Sequence, residues 1–177
     1  MPRYLLLWLS YHPILSLTGN SHTTTATILL CVAFAAWREH LNAGSITDWS
    51  TVAALIILIA IDRVGHQTFL VDDPSPLFFG LLAAAGWASV VLGHPFTKVH
   101  ARREVDEANW QSREFHEINK HISTCWSLVF TASAVMALYA DSDNAHWPLW
   151  LLATKVSVGA AIAISKTYPA LYLRYLR

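Results

Sequence analysis

Apolar residues in this chain come in long blocks separated by short polar stretches, not in the threes and fours of a surface helix. A helix that crosses bilayer hydrocarbon needs roughly 20 mostly apolar residues, with ~17 as a lower limit. The pattern predicts spans over residues 23–37, 49–61, 76–93, 122–140 and 147–165. The 49–61 block is short unless it gains a turn at each end. A weaker block at 4–18 contains Pro13, and proline removes a helix donor. Arg3 and the apolar run after it open like a secretory signal. That run ends in TGNSH without a small-residue exit, so a retained first helix or half-helix is expected. The expected fold is all-α: one polytopic membrane domain over 1–177, with about six helices.

Composition sharpens this. Only 14% of residues are charged, against about 25% in a typical soluble protein. A domain of 177 residues needs a charged skin in water, and there is too little charge to make one. Lipid therefore covers much of the surface, and the bilayer is the first expected partner. Twelve bases balance twelve acids, which excludes a basic nucleic-acid binder. Cys31 and Cys125 both lie in apolar runs and are expected to be small buried fillers.

Lys and Arg positions orient the spans. Arg3, Arg38, the group Lys98, Arg102, Arg103, Arg113 and Lys120, and then Lys166, Arg174 and Arg177 all fall on one side of six crossings. The opposite turns carry Asp72, Asp73, Asp141 and Asp143. Arg63 departs from the rule, and Lys155 lies within a span. Both termini are expected in the cytoplasm, with 94–120 as the main cytoplasmic loop. Pro95 follows the end of a span, where helices usually stop. The charges of ARREVDE can pair with one another and face water or anionic headgroups, and Trp110 suits an interface. Phe115, Ile118 and Ile122 recur at i, i+3 and i+7, which predicts that the next helix starts early, along the membrane surface.

Pro95, Phe96, Thr97, Ala101 and Arg102, then Trp110 and Ser112, then Ile118, Asn119 and Trp126 form the pattern P-F-T-x-x-x-A-R, W-x-S, I-N-x-x-x-x-x-x-W. In these residues the chain resembles the septation protein A family of small bacterial inner-membrane proteins, in an uncharacterised branch. The resemblance implies an all-helical membrane fold. It also implies a link to cell division and envelope synthesis through contacts with other membrane proteins, with no reaction attached. The many histidines and a shorter carboxy-terminal tail depart from better-known members.

Candidate chemistry is sparse. Nine histidines are present, and His12, His94, His100, His116 and His121 are the candidates for a metal or haem. His116 and His121 are five apart, about 140° beyond one helical turn, so they do not share a face. No H-E-x-x-H or paired-cysteine motif occurs, and no cofactor is expected. Lys155 is the sharper oddity, about eight residues inside a span. A charge there costs ~2.5–3.5 kcal/mol. Either it serves an ion path or helix contact, with Asp62 as candidate counter-ion, or its stem extends to the outer surface. Gly80 with Ala84 and Gly159 with Ala163 are small-xxx-small pairs, read as packing points within the chain, with a homodimer as the alternative.

The expected function is a structural or partner-binding role in the envelope, without catalysis. The contact loop would be His94, Pro95, Phe96, Arg102, Arg103, Trp110 and Asn119, and other membrane proteins would be the partners. One alternative is a small transporter or channel using Lys155 and Asp62. Another is a histidine-based redox subunit.

Overall fold

The computed structural model describes residues 10, 11, 13–19, 21–42, 46–64, 73–142 and 147–175, with backbone only at 36–42, 140–142, 147, 148 and 151. All regular structure among the described residues is helical. The helices are α1 (His22–Asn42), α2 (Ile46–Arg63), α3 (Ser75–Val91), the short α4 (Lys98–Ala101), α5 (Arg113–Ser142) and α6 (Trp147–Tyr175). A single 3-10 turn, Glu107–Asn109, lies between α4 and α5.

Each apolar block after the first became a helix, and most ends moved outward; α3 instead stops at Val91, two residues before the expected end at 93. The 49–61 block gains three residues before Trp49 and two after Ile61, giving α2 18 residues, or about 27 Å of rise. The largest shift is in α5, which begins nine residues before the expected span and runs unbroken for 30. The Ser112 hydroxyl starts it by accepting the Phe115 N–H at 3.1 Å, as an N-cap does. Phe115, Ile118 and Ile122 are all buried, so packing carries the polar first turns of this helix. The far end of α6 runs ten residues past the expected span, through Pro169.

By length and apolarity, the 113–139 part of α5 can cross a bilayer; α1 over His22–Ala35 and all of α3 are apolar but shorter. Among the described residues this is the one helix that meets both conditions.

The chain divides into two compact units, Met1–Leu81 and Leu82–Arg177. In the first, α1 and α2 pack together. Ala26, Leu29 and Ala33 of α1 and Val52, Leu55 and Leu58 of α2 are buried. Ile28, Val32 and Phe34 face outward from α1. Cys31 shares that outward position and is exposed. It is therefore not the buried filler expected, because the helix turns its other face to the core. Asp62, near the end of α2, accepts the backbone N–H of Thr23 at 3.0 Å and the Thr23 hydroxyl as well. A carboxylate there meets the unsatisfied amides and positive end of α1.

In the second unit α5 and α6 run antiparallel. His121 meets Tyr168, Trp126 meets Ser165, Met136 meets Thr154 and Tyr139 stacks on Trp150. The end of α3 is closed by a left-handed glycine: Gly93 has φ 74°. Its N–H reaches Val90 O at 3.1 Å, and the His94 N–H reaches Ser89 O at 2.9 Å, the paired bonds of a Schellman ending. Pro95 then prevents continuation.

The small-residue pairs do not mark the close approach. A Cβ placed on Gly80 or Gly159 would meet open space, and Ala84, Gly159 and Ala163 are exposed. The close approach is at Gly86, where a Cβ would lie 2.5 Å from Ser127 Oγ on α5. Gly86→Ala is expected to lower stability by about 1–2 kcal/mol, as overpacking outweighs the helix-propensity gain. Gly86→Ala with Ser127→Ala is expected to recover much of that loss, and melting temperatures of the three proteins check it.

Candidate functional site

The resemblance motif converges on one piece of structure, the turn from Pro95 to Lys98 seated on the first half of α5. Pro95, Phe96 and Thr97 are buried, as are Ile118, Asn119, Ser123 and Trp126 on α5. Burying a turn is costly because its backbone polar groups leave water. Here both buried N–H groups find partners. The Phe96 N–H donates to Ser89 Oγ at 3.3 Å, and Ser89 Oγ–H donates to Gly86 O at 2.7 Å. The Thr97 N–H donates to Ser123 Oγ at 3.3 Å.

Counting protons assigns the rest. Thr97 has one hydroxyl proton, and its oxygen lies 3.0 Å from both Asn119 O and Asn119 Oδ1. Both are acceptors, so the proton goes to them. The Ser123 hydroxyl, 2.9 Å away, must then donate to Thr97 Oγ1. Asn119 Nδ2 donates to Phe115 O at 2.8 Å, which fixes its amide so that Oδ1 faces Thr97. Aromatic rings close over this lock: Phe96 lies 6.4 Å from Phe130, and Trp126 lies 5.3 Å from Phe130.

Beyond the lock the chain is open. Residues 102–109 are exposed. Arg102 does not use a neighbouring acid; its guanidinium carbon lies 5.1 Å from the centre of the Trp110 ring, a cation–π contact. The Trp110 indole N–H donates to Val105 O at 3.0 Å. This tryptophan therefore closes its own loop. Arg103 is exposed, and so is His94, just past the end of α3.

Lys98 immediately follows the lock. Its ammonium is 2.6 Å from His116 Nδ1 on α5, and both side chains are half-buried. Burial first, then the charge of Arg102, hold Lys98 below the usual lysine range. His121 points elsewhere, with Nδ1 2.7 Å from the Tyr168 hydroxyl. His100 lies on α4, and His12 is outside the described residues. Among the described residues no three His, Cys, Asp or Glu side chains form a group able to hold a metal.

Asp62 and Lys155 lie in different units. Asp62 serves the start of α1, whereas Lys155 is exposed on α6 beside the exposed Leu152 and Val156. The Lys98–His116 contact escaped the sequence, since the two are 18 positions apart on separate elements. A missed signal was Ser123, which follows Asn119 at i+4 and so shares its helix face.

Set against protein-family models, characterised proteins and solved structures, the chain finds no match.

Two outcomes follow from the lock. Thr97→Val strands Asn119 Oδ1 and Ser123 Oγ in a buried site and is expected to cost about 1–3 kcal/mol, whereas Thr97→Ser keeps most of the stability; unfolding curves of both check this. For Lys98, a lowered pKa means that the folded chain releases its proton before the unfolded chain does. Its contribution to stability therefore grows as pH rises toward the ordinary lysine value of 10.5. Melting temperature followed upward from neutral pH should rise more in the natural protein than in Lys98→Met.

Proposed function

We propose that this chain is a multi-pass protein of the bacterial inner membrane, resembling septation protein A-like proteins. Its 94–120 segment is a prefolded cytoplasmic platform for other envelope proteins. The observation that carries the reading is the change of character along α5. From Leu128 on, the helix turns Leu128, Val135, Leu138 and Tyr139 outward. Its first turns instead hold a charged loop in place through buried hydrogen bonds. An outward apolar face is unfavourable in water and costs nothing in hydrocarbon. On α6, Leu149, Leu152, Val156 and Ile164 face outward as well, which supports the same placement. Six crossings with both termini inside put the basic loops on the cytoplasmic side, in keeping with the positive-inside rule.

The platform reading rests on rigidity. A loop whose backbone is already ordered loses less entropy on binding than a mobile one. The lock orders residues 95–98, and the Arg102–Trp110 contact orders the exposed turn beyond it. On this placement Lys155 faces lipid, and its stem runs toward the outer surface, about 12 Å away.

The membrane assignment is tested with a chain in which Cys31 and Cys125 are replaced by alanine. Arg103→Cys is expected to resist an impermeant thiol reagent in intact cells and to react in inverted vesicles, with Asp143→Cys doing the reverse. A monodisperse protein in a detergent-free supernatant would end the membrane reading. For the platform, a photo-crosslinker at Arg103 in native membranes should give a reproducible adduct whose yield falls when Thr97→Val loosens the lock. A diffuse adduct pattern insensitive to that change counts against it.

A further inference from the structure

Three nitrogen bases meet at the edge of the locked turn. Lys98 and Arg102 are one helical turn apart, linked by the Arg102 N–H to Lys98 O bond of 3.0 Å. His116 stands on the first turn of α5, with Nδ1 2.6 Å from Lys98 Nζ. Arg102 is held by the face of Trp110, so its guanidinium is placed while its five N–H groups stay available.

The polarity of the group follows from its contacts. The Lys98 ammonium has only donors, so His116 Nδ1 must accept. The ring proton of a neutral His116 is then on Nε2. Lys98 keeps two further N–H bonds and Arg102 offers its fork, while His116 spends Nδ1 on the lysine and turns Nε2–H away from it. The two charged groups at this edge, Lys98 and Arg102, are donors only.

Acids are near in sequence and not in contact. Glu114 and Glu117 flank His116 on α5, and Glu104 and Asp106 follow Arg102. Among the described residues no carboxylate comes within ion-pair distance of Lys98 or His116. The influences on Lys98, its burial and the Arg102 charge, both oppose its own charge. A bound anion would offset both.

We propose that Lys98 and Arg102, with His116 positioning the lysine, form a binding site for a phosphate-bearing anion. A phosphate presents oxygens to the Lys98 ammonium and the Arg102 guanidinium, the point charge and the fork that recognise it, while His116 holds the lysine in place. The site deepens the platform reading and rests on it in one respect: on that placement the start of α5 lies at headgroup depth, so the phosphate can belong to a lipid. Free phosphate or a soluble phosphomonoester offers the same chemistry.

The test uses the full chain purified in an uncharged maltoside detergent. It is titrated with inorganic phosphate, with dihexanoyl phosphatidic acid and with dihexanoyl phosphatidylcholine, and followed by isothermal titration and by the shift in melting temperature. Saturable binding of at least one of the first two is expected, tighter than that of phosphatidylcholine. Lys98→Gln and Arg102→Gln should each weaken it about tenfold, the loss of one charge-assisted hydrogen bond. Arg103→Gln removes the same charge one residue away and should leave it within about twofold, since exposed charges off a site contribute little. Lys98→Arg should retain most of the affinity. If Lys98→Gln fails to fold, Arg102→Gln, at an exposed position, carries the comparison.

Equal binding of phosphate and phosphatidic acid assigns the site to free phosphate, and binding of the lipid alone assigns it to a headgroup; both support the proposal. No saturable binding overturns it. So does phosphatidylcholine binding as tightly as phosphatidic acid, or Arg103→Gln weakening binding as much as Arg102→Gln. The titration uses purified protein, so its failure leaves the membrane placement standing. A chain found outside the membrane could still pass it.

Discussion

The hydroxyl of Thr97 is the constraint on which the second unit depends. The turn after α3 is buried, and a buried turn lacks the regular hydrogen bonds of a helix or sheet. Thr97 supplies them from the side. Its N–H goes to Ser123 and its O–H to Asn119, and it receives the Ser123 proton in return. Without that exchange the turn would leave polar atoms facing Phe96, Phe130 and Trp126. With it, α3, α4 and α5 share one polar node sealed by aromatic rings.

The node works because the helices can come close. Gly86 removes the side chain that would strike Ser127. Ser127 and Thr131 satisfy their own protons on carbonyls one turn back, at 2.8 Å each. Hydroxyls used this way add little volume and leave no unmet donor. Two cross-helix indole bonds among the described residues extend the scheme: Trp87 donates to Thr131 at 3.1 Å, and Trp126 to Ser165 at 2.8 Å. Each joins a large apolar ring to a hydroxyl whose own proton is already placed, so polar specificity costs little apolar contact.

Much of the helical layout was legible in the sequence, because long apolar blocks leave few alternatives to helices. The ends were less legible. The α5 start was signalled by Phe115, Ile118 and Ile122 on one face, yet the apolar span begins at 122, since seven of the nine residues before it are polar. The close approach was misplaced for a different reason. Gly80, Gly86 and Gly159 look alike in sequence, and only the position of Ser127 on another helix singles out Gly86. The motif residues were read as contact residues, and the structure divides them. Pro95, Phe96 and Asn119 turn inward and build the lock, while Arg102 and Arg103 remain outside. Sequence spacing conveys which residues recur together and not which way each one faces.

The division between inward and outward residues explains how the site is placed. Lys98 directly follows Thr97, so once the threonine is bound to α5 the lysine stem has little freedom and meets His116. Arg102 sits one turn further on, where Trp110 supplies a surface for it. The basic group thus inherits its geometry from a neutral network that carries no net charge itself. Such an arrangement separates two demands that conflict in a single residue. The buried hydroxyls and amide hold shape without the desolvation penalty of an ion, and Lys98 and Arg102 keep their charge near water, where an anion can reach them. In a chain with only 14% charged residues, setting several of them in place beside one locked turn concentrates the available electrostatic recognition at that point.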